Sequence, residues 1–182
     1  IWINDGTGSF AKGQSIPVGA DALAVTVGDW NGDDNPDVAV SRPQSPEIVI
    51  GFGDGAGGFA FIQQLPLPGG GRAFNIASGP VIGGGLDDLV VADPELSRLV
   101  VFPGATSYFG QAFLQLDVPN NPAAVAVGDL SGDGVPDLVV STFGVHEYVV
   151  ITEVFAKDGI GSVSYDAFHV PLSSPKMTTM FG

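Results

Sequence analysis

The 182-residue sequence contains no cysteine. Disulfide scaffolds, zinc–thiolate centres and cysteine nucleophiles are therefore excluded. Basic residues are nearly as scarce. Lys12, Arg42, Arg72, Arg98, Lys157 and Lys176 stand singly against 20 acidic residues, for a net charge of −14. No basic patch exists to neutralise phosphates, so nucleic acid is not expected as a partner, nor is an anionic lipid surface. No apolar run approaches the roughly 18 residues of a membrane helix, so no membrane insertion is expected. There is no visible signal peptide and no N-x-[ST] sequon. The first residue is Ile1 rather than Met, which points to a processed chain or a piece of a longer one. Catalytic signatures are missing as well. There is no G-x-S-x-G elbow and no G-x-x-x-x-G-K-[ST] loop, and "GGGR" at 69–72 is only a glycine loop. His146 and His169 are isolated and read as surface or packing residues. With no catalytic constellation in the sequence, the chain is not expected to be an enzyme.

What is abundant points to short strands. Apolar residues make up 45% of the chain, beside Gly 27 and Pro 14, and mean hydropathy is +0.32. That excludes a disordered chain, and the lack of a glycine period excludes collagen. Three stretches repeat: "AVTVGDWNGDDNPDVAVS" (24–41), "NIASGPVIGGGLDDLVVAD" (75–93) and "AVAVGDLSGDGVPDLVVS" (124–141). Gly28, Gly79 and Gly128 align at spacings of 51 and 49 residues, as do Asp37, Asp88 and Asp137. After each comes a second strand ("EIVIGFG", "RLVVFPG", "EYVVITEV"), a turn ("GDGAGGF", "TSYFGQAF", "KDGIGSVSY") and a last strand running to a proline. Alternating apolar residues with this punctuation predict four strands per repeat, and hence an all-β chain of β-propeller blades. The expected division is the second half of a blade at 1–19, full blades at 20–68, 69–120 and 121–172, and a tail at 173–182. Three and a half blades do not close a ring. The remaining blades, or neighbouring subunits, are therefore expected partners.

The acidic turns supply the candidate site. Hard cations such as Ca²⁺ take 6–8 oxygen ligands, and Asp-x-Asn-x-Asp places successive side chains around one point. In the first loop the set is Asp29, Asn31, Asp33 and Asp37, with the carbonyl of Asn35. In the last it is Asp129, Ser131, Asp133 and Asp137, with the carbonyl of Val135. The middle copy has Pro80, Ile82 and Gly84 at the first three ligand positions and is expected to bind no metal. Two Ca²⁺ per chain are therefore expected. An EF-hand is rejected, because position 12 is Val40 or Val140 rather than Glu and the flanks read as strands. Asp87–Asp88 read as a remnant of the turn. Of the aromatic residues that stack on sugars, Trp2 is expected in the core, whereas Trp30, inside an acidic loop, is expected to be exposed; Tyr148 is the third.

"GDWNGDDNPDVAVS" and "GDLSGDGVPDLVVS" resemble the D-x-[DN]-G-D-G-x-x-D loops of FG-GAP/VCBS-type repeats, which occur in integrin α-subunit propellers and in secreted proteins. "GFGDGAGGF" and "INDGTGSF" are similar to the glycine-turn halves of the same repeat. The resemblance implies a propeller with calcium in outer-edge loops and departs from that pattern at Pro80–Gly84. It implies a non-enzymatic segment of an extracellular or cell-surface protein, secreted, acting in adhesion, recognition or structural assembly on a protein or glycan ligand, a surface fibre being one form. A carbohydrate-binding, lectin-like propeller and the propeller domain of a secreted hydrolase or lyase are the alternatives. Aromatic-lined pockets between blades favour the first, and clustered carboxylates or histidines away from the metal loops favour the second.

Overall fold

Each repeat folds as an antiparallel sheet because its strands follow one another through turns too short for any crossover. The computed structural model describes residues 1–110, 113–118 and 121–142. β1 (Trp2–Asn4) pairs with β2 (Phe10–Lys12). β3 (Val25–Gly28), β4 (Asp37–Val40), β5 (Glu47–Gly53) and β6 (Phe59–Pro66) form a four-stranded sheet in sequence order. β7 (Asn75–Gly79), β8 (Asp88–Asp93), β9 (Arg98–Phe102) and β10 (Leu114–Asp117) form a second. β11 (Pro122–Gly128) and β12 (Asp137–Thr142) form a two-stranded sheet. The protein is all-β and a partial propeller, as expected, and among the described residues the only helical turn is a 3-10 turn at Pro68–Gly70. The strands expected at 147–154 and 166–175, the tail, His146, Tyr148 and His169 lie outside the described residues. No helix among those described is long and apolar enough to cross a membrane.

The core lies between sheets. β8 and β9 are buried on both faces, so their runs of Leu and Val carry no polar alternation. Leu89, Val91, Val100 and Phe102 point one way, against Ala39, Ile48, Ile50 and Phe52 of the first sheet. Val90, Ala92, Leu99 and Val101 point the other way, against Val125, Leu138 and Val140 of the third. The period of two thus sends alternate residues of one strand into two different cores. A buried ion pair, Arg98 Nε to Asp93 Oδ2 at 2.9 Å, closes the β8–β9 turn, with the Pro68 carbonyl and Gln115 accepting from the other guanidinium nitrogens.

Both tryptophan expectations are reversed. Trp2 is 70% exposed and Trp30 only 1%. Trp2 belongs to a two-strand hairpin all of whose residues are exposed. Trp30 leaves its loop for the space between the first two sheets, where Phe109 lies 5.9 Å from it, ring centre to ring centre. The decisive contacts come from residues about fifty to eighty positions away, beyond the reach of local pattern.

Candidate metal loops

The loops that join β3 to β4 and β11 to β12 fold alike, because their side chains bind their own backbone. Asp29 Oδ1 accepts from the N–H of Gly32 at 2.8 Å and of Asp33 at 3.2 Å, and its Oδ2 accepts from Asp34 N at 2.9 Å. Asp129 does the same, accepting from Gly132 N at 2.7 Å and Gly134 N at 2.9 Å. Asp33 Oδ1 accepts from Asn35 N, and Asp133 Oδ1 from Val135 N, each at 2.8 Å. This is how short Asp and Asn side chains build turns. The tight path needs a left-handed residue after the second acidic position. Asp34 holds it at φ 65° and Gly134, without the penalty of a Cβ, at φ 85°.

Asp37 and Asp137, grouped by the sequence with the other ligands, have a second role. Both are buried. Asp37 Oδ2 accepts from Trp30 N at 3.1 Å and its Oδ1 from Gly53 N at 2.9 Å, tying the loop to β5. Asp137 Oδ2 accepts from Leu130 N and Ser131 N. Asp88 repeats the device in the loop without the other ligands, accepting from Ile82 N at 2.8 Å and Gly104 N at 3.0 Å. Gly53 and Gly104 must be glycine here, since a Cβ on either would collide with the carbonyl oxygen of Pro36 or Asp87. The clue was already present in the sequence: this aspartate alone outlives the loss of the rest.

Sequence reasoning also missed the joint between loops of successive sheets. Trp30 Nε1 donates to Ser78 Oγ on β7 at 3.0 Å, and Ala105 N donates to the Trp30 carbonyl at 2.9 Å. Asp87, more than a turn remnant, accepts from Asp29 N at 3.2 Å. A Cβ at Gly28 would collide with Ser78 Oγ, so only glycine lets the two sheets approach this closely there.

Electrostatics bear on what the loops can hold. The backbone N–H of Asn35, then the Asn31 amide, holds Asp33 below the usual carboxylate range. Burial raises Asp37, and the charges of Asp33 and Asp29 raise it further. None of the ion pairs among the described residues reaches these loops. As they stand, no three acidic or imidazole side chains among the described residues converge on one centre, their oxygens being turned to backbone N–H groups. A carboxylate oxygen that accepts one hydrogen bond keeps a second lone pair. The donor set is all oxygen, its carboxylates repel one another, and no ion pair among the described residues offsets them, so these residues fit a hard cation such as Ca²⁺.

Asp88 gives a test free of any metal. Burial, then the neighbouring Asp87 charge, raises its pKa. A carboxyl raised on folding leaves stability intact below its unfolded value and lowers it as pH rises through the folded value. Asp88→Asn removes that titration. Urea unfolding is expected to give a wild-type-minus-variant stability difference that falls as pH climbs from the ordinary carboxylate range toward neutrality. A flat or rising difference would contradict the assignment.

Residues 81–140 match the family model of the FG-GAP-like repeat. The match begins at Val81 in the ligand-poor loop and ends at Val140 in β12, so it takes in β8, β9 and β10 of the second sheet, β11 and the whole last acidic loop. No curated protein matches the chain. Over this third of the chain, then, the sequence is similar to the FG-GAP-like repeat.

Proposed function

We propose that this is a calcium-binding, non-enzymatic propeller segment of an extracellular or cell-surface protein, acting in adhesion, recognition or structural assembly. One observation carries the reading. Two loops a hundred residues apart fold alike around Asp29/Asp33/Asp37 and Asp129/Asp133/Asp137, while the loop between them keeps only Asp88 of that set. If these aspartates served only to shape the turn, the middle loop would need them too. It manages with Gly83, Gly84 and Gly85 in left-handed conformations. The additional carboxylates therefore serve a ligand, and mutually repelling oxygens select a cation. A location outside the cell suits the weak sites, about 10⁻⁴–10⁻³ M, typical of extracellular calcium modules. Isothermal titration with Ca²⁺ is expected to find two sites per chain, and one site in either Asp33→Ala or Asp133→Ala. A stoichiometry of zero in the wild type, or of two in both variants, rejects the reading.

A further inference from the structure

Asn31 is the one asparagine of the sequence that precedes a glycine. Glycine has no Cβ, so the backbone nitrogen that follows the Asn31 carbonyl is unshielded and can approach the Asn31 side chain. Asn35 and Asn121 precede proline, whose nitrogen has no hydrogen to give up, and Asn75 precedes the branched Ile76. The corresponding pair in the last acidic loop is Ser131–Gly132, which has no side-chain amide. Of the two acidic loops, only the first carries this chemistry.

In the closed loop both reacting groups are occupied. Gly32 N donates to Asp29 Oδ1 at 2.8 Å. The Asn31 amide donates through Nδ2 to Asp33 Oδ2 at 3.0 Å and accepts through Oδ1 from Asp33 N at 3.1 Å. Leu86, from the next sheet's loop, lies over Gly32, where a Cβ would fall 2.8 Å from Leu86 Cδ2. The Asp29 and Asp33 carboxylates also oppose the negative charge that an attacking nitrogen acquires. The closed loop therefore holds the reaction back. Its guard is shallow, however, since Gly32 and Asp33 are exposed. Surface hydrogen bonds of this kind open locally while the sheets beneath stay folded.

We propose that Asn31 is a deamidation site gated by closure of its loop, and that the modification silences the first metal loop alone. When the loop opens, Gly32 N gives its proton to water and attacks Asn31 Cγ. A nitrogen–carbon bond forms, the side-chain nitrogen takes up a proton from water and leaves as ammonia, and a five-membered imide closes. Water then opens the imide at one carbonyl or the other, giving aspartate or isoaspartate; nothing is oxidised or reduced. Isoaspartate lengthens the main chain by one carbon between residues 31 and 32. That shift carries the N–H groups of Gly32, Asp33 and Asp34 off the oxygens of Asp29 that now hold them. The last loop, with Ser131, has no ammonia to lose and keeps its shape.

A ligand that binds only the closed loop lowers the open fraction by the factor 1 + [L]/Kd. With sites of about 10⁻⁴–10⁻³ M and roughly 10 mM Ca²⁺, deamidation slows by about 10–100-fold. This calcium dependence rests on the proposed metal reading, whereas the modification itself does not.

The full chain is incubated in mildly alkaline buffer with EGTA, with Ca²⁺, and in urea, and the conversion of amide to acid is followed by peptide mass mapping. The metal-free folded chain is expected to convert at Asn31 into an aspartate and isoaspartate pair. In urea, with the three hydrogen bonds around Asn31 and Gly32 gone, conversion is expected to be faster by on the order of tenfold or more. Asn31→Ser, which copies the last loop, is expected to show no conversion in this peptide. The isoaspartyl chain is expected to bind one Ca²⁺ in calorimetry where the fresh chain binds two. An Asn31 that stays intact in the folded chain while the urea sample converts fully overturns the proposal. So do equal rates in the folded and unfolded chains, an isoaspartyl chain that still binds two Ca²⁺, or a rate that ignores Ca²⁺ in a chain that calorimetry shows to bind it. A chain that binds no Ca²⁺ yet deamidates at Asn31, slowly folded and quickly in urea, rejects the metal reading alone and supports the modification site.

Discussion

Replacing Trp30 by alanine is expected to lower the unfolding free energy by about 3–5 kcal/mol, the range for deleting a large buried aromatic side chain. The residue is buried between two sheets. Its loss opens a cavity bordered by Phe109 and strips Ser78 Oγ of its indole partner. At roughly 2–4 °C per kcal/mol for a chain of this size, the midpoint falls by on the order of 10 °C. Trp30→Phe separates the two losses. It retains most of the volume but cannot donate to Ser78, and is expected to cost about 1 kcal/mol. Thermal unfolding followed by far-UV circular dichroism measures both. A Trp30→Ala protein as stable as the wild type would mean that the first two sheets are not packed through this side chain.

Calcium is expected to have an effect of similar size and opposite sign. A ligand that binds only the folded state stabilises it by RT ln(1 + [L]/Kd). With sites of about 10⁻⁴–10⁻³ M and roughly 10 mM Ca²⁺, each site contributes about 1.4–2.7 kcal/mol. Two sites together raise the melting midpoint by on the order of 10 °C. EGTA should return the midpoint to its metal-free value. Asp33→Ala or Asp133→Ala should each halve the rise, whereas Asp88→Asn should leave it intact, since Asp88 belongs to the loop without the other ligands. A midpoint that moves with neither calcium nor EGTA would sink the metal assignment. The acidic loops would then be turns built on Asx hydrogen bonds, which the geometry of Asp29 and Asp129 already permits.

These two effects act through different parts of one loop. Asp37 and Trp30 hold it down, the first by bonding to β5 and the second by filling the gap to the next sheet. Asp29, Asn31 and Asp33 lie at its tip, where the two carboxylates repel each other and a cation would stabilise them. The middle repeat shows the division by subtraction. It keeps Asp88 and the inward-facing Val81, and it replaces the tip with glycine.

The sequence by itself determined the strands and their order. Alternating valines between glycine and proline turns allow only short antiparallel strands, and the aligned glycines set the repeat length. It also placed the oxygen-bearing residues of each loop, because a tight turn brings side chains within nine positions together whatever surrounds it. Only the tertiary structure decided which of them are buried. Trp30 looked like a loop residue and became a core residue because β7 passes over it. Trp2 looked like core and stayed exposed because, among the described residues, no inner strands stand beside its hairpin. Asp87, Asp88 and Ser78 acquired partners in the same way. Burial in this fold is conferred by the next sheet along, about fifty residues away, and a local pattern cannot report a surface that a distant segment covers.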